Sequence, residues 1–91
     1  MTYVIKRAGK RQAEEFAPHK VHSSVRSACL SVRSPEGEAE TIAARVGDVV
    51  SQWIHTKPSV TSHDIRRVAA TALEAFHPEA AYLYQNHELV V

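Results

Sequence analysis

The stretch "TYVIKRAGKRQAEEFAPHKV", residues 2–21, decides the fold class, because the rest of the chain reads as helix. Thr2 to Arg7 is β-branched and aromatic, and Gly9 follows at once. Ala13 to Phe16 can return antiparallel, which predicts a β-hairpin over 3–16. Pro18 then suits the first turn of a helix, where its missing N–H costs nothing. A strand, a glycine turn, a second strand and a helix start make this an α+β chain.

Downstream, Val21, Val25, Ala28, Cys29 and Val32 recur at helical spacing, and Ser34-Pro35-Glu36-Gly37 reads as a loop. From Glu38, a second apolar stripe runs through Ala39, Ile42, Ala43, Val46, Val49, Val50, Trp53 and Ile54, and Lys57-Pro58-Ser59 ends it. Thr61-Ser62-His63-Asp64 fits a capping box, with the Thr61 hydroxyl accepting from the Asp64 N–H and the carboxylate reaching back. Ile65, Val68, Ala69, Ala72, Leu73 and Phe76 then form the apolar face of a third helix. His77-Pro78-Glu79 restarts the chain into a fourth, whose apolar side is Ala80, Ala81 and Tyr84, with Leu83 at its margin. The expected architecture over residues 1–91 is one domain, a small four-helix bundle capped by a short β-sheet built on the N-terminal hairpin.

The chain has 91 residues and a formal net charge of +1, with six histidines that add charge only in mild acid. That balance argues against non-specific nucleic-acid or membrane affinity and leaves room for a local basic patch. The single cysteine, Cys29, excludes an internal disulfide and a cysteine-based zinc ribbon. It sits in an apolar helical stretch and reads as a small buried hydrophobe. No stretch approaches the ~20 apolar residues of a membrane span. The N-terminus lacks a basic-then-apolar signal design, so the expected location is cytoplasmic.

The glycines are Gly9, Gly37 and Gly47, and no phosphate-binding P-loop or dinucleotide fingerprint can be built from them. His19 and His22 are spaced to face the same way at the start of the first helix, but no second pair completes a zinc site. Ser23, Ser24, Ser62, His63 and Asp64 include the residue types of nucleophilic catalysis, yet capping accounts for Thr61 and Asp64 in full. No enzymatic activity is expected.

What remains is the basic cluster. On a strand, Lys6 and Arg7 point to opposite faces. Lys20 falls in the first turn of a helix, where a cation opposes the helix dipole and an anion would turn that cost into a gain. The unpaired N–H groups of the same helix start suit phosphate oxygens. On the residues alone, an anion grip stands beside the more economical reading of an ordinary charged hairpin.

Taken in order, Val4-Ile5-Lys6-Arg7-x-Gly9, Glu14-Glu15-Phe16 and Lys20-Val21 resemble the opening of the ATP-cone domain. Val60-Thr61-Ser62-x-x-Ile65 resembles that family's third-helix start, and Ala80-Ala81-Tyr82-x-Tyr84 its last helix. Each motif is weak alone, but together they span essentially the whole chain. The resemblance implies a helical bundle capped by a small mixed sheet. It also implies a regulatory domain that binds ATP or dATP without hydrolysis, with or without Mg2+, and changes oligomeric state with the nucleotide.

Such domains stand at the N-terminus of ribonucleotide reductase large subunits and in the repressor of reductase genes. Read as a full-length protein, the chain would be such a domain standing alone, without a reductase domain or zinc ribbon. The implied partners are therefore a second copy of the chain or a reductase-related protein, with no membrane and no nucleic acid. By the same resemblance Lys6, Arg7 and Lys20 would hold the phosphates. Val4 and Val21 would contact the base or close the pocket, and Glu14 or, as taken here, Glu15 would lie by the adenine. Thr61, Ser62 and Arg66 would form the far side.

Three departures are visible: Ala8 replaces an Asp of the turn, the connection from Gly9 to Glu14 is longer, and Ala17 replaces the Asp or Asn before the first helix. The last removes a side-chain cap worth ~1 kcal/mol. The competing expectation is a small nucleic-acid-binding domain using the helix at 62–76, with His63, Arg66 and Arg67 near its start.

Overall fold

The computed structural model describes residues 2–5 and 14–86. Strand β1 (Tyr3–Ile5) pairs antiparallel with β2 (Glu14–Glu15), Tyr3 opposite Glu15 and Val4 opposite Glu14. The Phe16 N–H donates to the Thr2 carbonyl at 2.7 Å and closes the described end of the hairpin. Helices α1 (Pro18–Ser31) and α2 (Glu36–Ile54) follow, then β3 (Ser59–Thr61), α3 (Ser62–Glu74) and α4 (Pro78–Asn86). The molecule is an α+β domain of four helices and one mixed sheet in the order β2-β1-β3.

Strand β3 is absent from the residue-by-residue reading. It lies parallel to β1, with Val4 opposite Val60, and the Tyr3 N–H donates to the Pro58 carbonyl at 3.1 Å. Only Val60 of its three residues is buried, and one apolar residue between Ser59 and Thr61 is too little for alternation to register. Thr61 is both the end of β3 and the N-cap of α3, and its extended backbone satisfies both roles. The capping box forms as expected. The Asp64 N–H donates to Thr61 Oγ1 at 3.0 Å, and the Thr61 N–H donates to Asp64 Oδ2 at 3.5 Å.

The structure corrects other expectations. Helix α2 begins at Glu36, not Glu38, with Pro35 as N-cap and Glu36 and Glu38 in its first turn, where carboxylates suit the dipole. Val32 is the C-cap of α1. Val49 and Phe76 are each 44% exposed. Val49 lies off the buried stripe of Ile42, Val46, Val50 and Ile54. Phe76 lies past the end of α3 and so escapes its period. Ala70 is buried instead.

The core is built from Leu73, Val25, Val46, Val50 and Cys29, all fully buried, with fully buried Ala28, Ala39, Ala43, Ala69 and Ala80 between them. Small side chains at these contacts let the helix axes approach closely. Thr2 ties the sheet to the bundle. It is buried, and its hydroxyl proton is shared between the Ile54 carbonyl at 2.9 Å and the Lys57 carbonyl at 2.8 Å, at the open end of α2. No helix among the described residues is long and apolar enough to cross a membrane.

Candidate functional site

A cleft of about 540 Å³ opens where the β2–α1 connection, α1, the start of α3 and the end of α4 converge. That volume lies within the roughly 300–1,000 Å³ typical of small-molecule sites. Its apolar wall is Val4, Phe16, Val21 and Ile65; all but half-buried Phe16 are buried. The opposite character comes from α1, whose His19, Lys20, Ser23 and Ser27 face the cleft and are exposed. These positions recur at three- and four-residue spacing, so they form one polar stripe along the helix.

Ala17 is the N-cap of α1 and makes no side-chain cap, as its residue type requires. The start of this helix therefore meets the cleft without an internal carboxylate or hydroxyl to answer its dipole. Lys20 adds a cationic side chain in the first turn of the helix. Ser62 and half-buried Arg66 enter from α3, and Glu15 supplies a carboxylate at the exposed rim.

Tyr84 closes the floor. Ser24 Oγ donates to the Val21 carbonyl at 3.1 Å, so its contact with the Tyr84 hydroxyl, also 3.1 Å, is made by the phenol donating to Ser24. Arg66 lies with its guanidinium carbon 5.2 Å from the Tyr84 ring centre and donates from Nη1 to the Tyr84 carbonyl at 3.0 Å.

Of the nine residues singled out in the sequence, Val4, Glu15, Lys20, Val21, Ser62 and Arg66 line this cleft together. Thr61 does not; its side chain is spent on capping α3. Lys6 and Arg7 lie outside the described residues. The reading missed Phe16, His19, Ser23, Ser27, Ile65 and Tyr84 as lining residues. The serines carried a signal, a polar stripe on a helix whose other face is valine and alanine. Tyr84 was legible as part of the apolar side of α4, but nothing in the sequence marked it as the floor of a cleft.

The histidine pair does not share a face: His19 lines the cleft, whereas His22 Nε2 lies 2.6 Å from Glu40 Oε2 on α2. Arg26 Nε donates to Glu40 Oε1 at 2.8 Å, and His22 first, then Arg26, hold the Glu40 carboxyl below its ordinary range. Among the described residues no cluster of three or more metal-ligating side chains is present. Asp64 is held low by the Thr61 hydrogen bonds and then by Arg67, 3.4 Å away, which commits it to the helix start. Burial pushes the Cys29 thiol up, so it stays protonated and inert in the core. Comparison with protein-family models, with curated proteins and with solved structures returns no match.

Proposed function

We propose that this chain is a regulatory domain that binds an adenine nucleotide, ATP or dATP, in the cleft without hydrolysing it. Occupancy would then shift its self-association or its docking on a reductase-related partner. The observation that carries this reading is one cleft with two chemically different sides. The valine and isoleucine wall with Phe16 suits a flat, weakly polar base. Lys20, Arg66 and the uncapped start of α1 offer positive potential for phosphates, and the α1 serines offer hydroxyls for a ribose. Lys6 and Arg7 extend the phosphate grip in this proposal. The resemblance of the chain to ATP-cone domains selects the adenine nucleotide from among anions with an apolar part.

The recognition-helix alternative is less well supported. Arg66 turns inward onto Tyr84, and Arg67 is engaged with Asp64, so the two arginines do not form an outward basic face.

Titration calorimetry with ATP and dATP tests the proposal. Micromolar binding is expected, weakened about 10- to 100-fold by Lys20→Ala, the loss of one or two charge-assisted phosphate bonds. Absence of heat and of any thermal shift at millimolar nucleotide would overturn it.

A further inference from the structure

Tyr84 is where three helices meet at the cleft. Its side chain is 3% exposed and lines the floor. Ser24 of α1 takes its hydroxyl, and Arg66 of α3 covers its ring and takes its carbonyl. That carbonyl belongs to the last turn of α4 as described, Pro78–Asn86. Arg66 therefore ties the backbone of α4 to α3 through this bond. The same guanidinium lines the cleft. It carries five N–H donors in a fixed plane, and the bond to Tyr84 is made through Nη1 alone.

We propose that Arg66 couples occupancy of the cleft to the order of α4. An anion in the cleft engages donors of the guanidinium that Tyr84 does not use, while Nη1 keeps the carbonyl. The bound ligand thus pins the residue that holds the Tyr84 carbonyl, and the backbone of α4 around Tyr84 tightens. Linkage makes the effect reciprocal: whatever orders the end of α4 raises affinity in the cleft by the same factor. The proposal rests on the nucleotide reading above and adds to it the element through which binding would be reported. Arg66 acts on α4 as a positioning residue. A lysine at this position would keep the charge but lose the planar fork that serves two acceptors.

Hydrogen exchange of the full chain at the amides of residues 83–86, with and without ATP, tests this, with calorimetry on the same samples. In the native protein, saturating ATP is expected to slow exchange there roughly five- to tenfold, the effect of one hydrogen bond of ordinary net strength. In Arg66→Lys, with ATP raised until calorimetry shows saturation, the slowing at 83–86 is expected to disappear. Heat of binding with no slowing at α4 in the native protein would overturn the coupling and leave the nucleotide reading standing. So would equal slowing in Arg66→Lys. Absence of binding heat in the native protein would overturn both.

Discussion

Arg33 holds a φ of 68°, in the left-handed region that side chains with a Cβ avoid. It does so because α1 ends in a Schellman motif. The Ser34 N–H donates to the Cys29 carbonyl at 3.0 Å, and the Arg33 N–H donates to the Leu30 carbonyl at 3.0 Å. Glycine is the usual occupant of this position, and its absence hid the motif from sequence reading. Thr61 is the opposite case: a threonine three residues before an aspartate announces its own hydrogen bonds, because all the atoms involved are local. Replacing Arg33 by Gly should relieve about 1–2 kcal/mol of left-handed strain. It should return roughly 0.5–1 kcal/mol of that in unfolded-chain entropy. A net rise of a few degrees in melting temperature is expected by calorimetric scanning; a fall would show that Arg33 is not strained there.

At the level of elements, the helices were legible because each carries its buried stripe in its own residues. The sheet was legible only as far as the hairpin, whose strands are close in sequence. Strand β3 is defined by its pairing with β1, more than fifty residues away in the chain, and three residues cannot display a period of two. Thr2 belongs to the same class. Nothing near it in sequence marks it as buried, yet its hydroxyl serves two carbonyls at the end of α2. Thr2→Val keeps the shape and strips that proton, while the Ile54 carbonyl keeps the Lys57 N–H at 2.9 Å. A loss of about 0.5–1.5 kcal/mol is expected from urea unfolding. A loss below a few tenths would mean that water serves the carbonyls equally well.

On the scale of the whole molecule, the cleft was half legible. Val4, Glu15, Lys20, Val21, Ser62 and Arg66 come from three separate stretches, and the structure brings them to one opening. Arg66 meeting Tyr84 across eighteen positions is a packing result that no local pattern encodes.

Electrostatics at this scale tie stability to pH through Glu40 and Asp64, whose folded pKa values lie below their ordinary 4.5 and 3.8. Between the folded and the ordinary value the unfolded chain binds more protons, so the contribution of each group is full above its ordinary value. It is lost as pH falls through the depressed folded value. The melting temperature should therefore hold near neutrality and decline below about pH 4.5, and Glu40→Gln should shallow that decline. An unchanged slope in the variant would show that the His22–Glu40–Arg26 contacts between α1 and α2 carry no weight.

The central claim is that one cleft binds an adenine nucleotide. The most direct test is an amide NMR titration of the full chain with ATP. Shifts are expected to saturate together and to concentrate at residues 15–27, 62–66 and 84, with the outer face of α2 unmoved. Shifts absent at millimolar ATP, or centred on α2 rather than around Lys20 and Arg66, would contradict it.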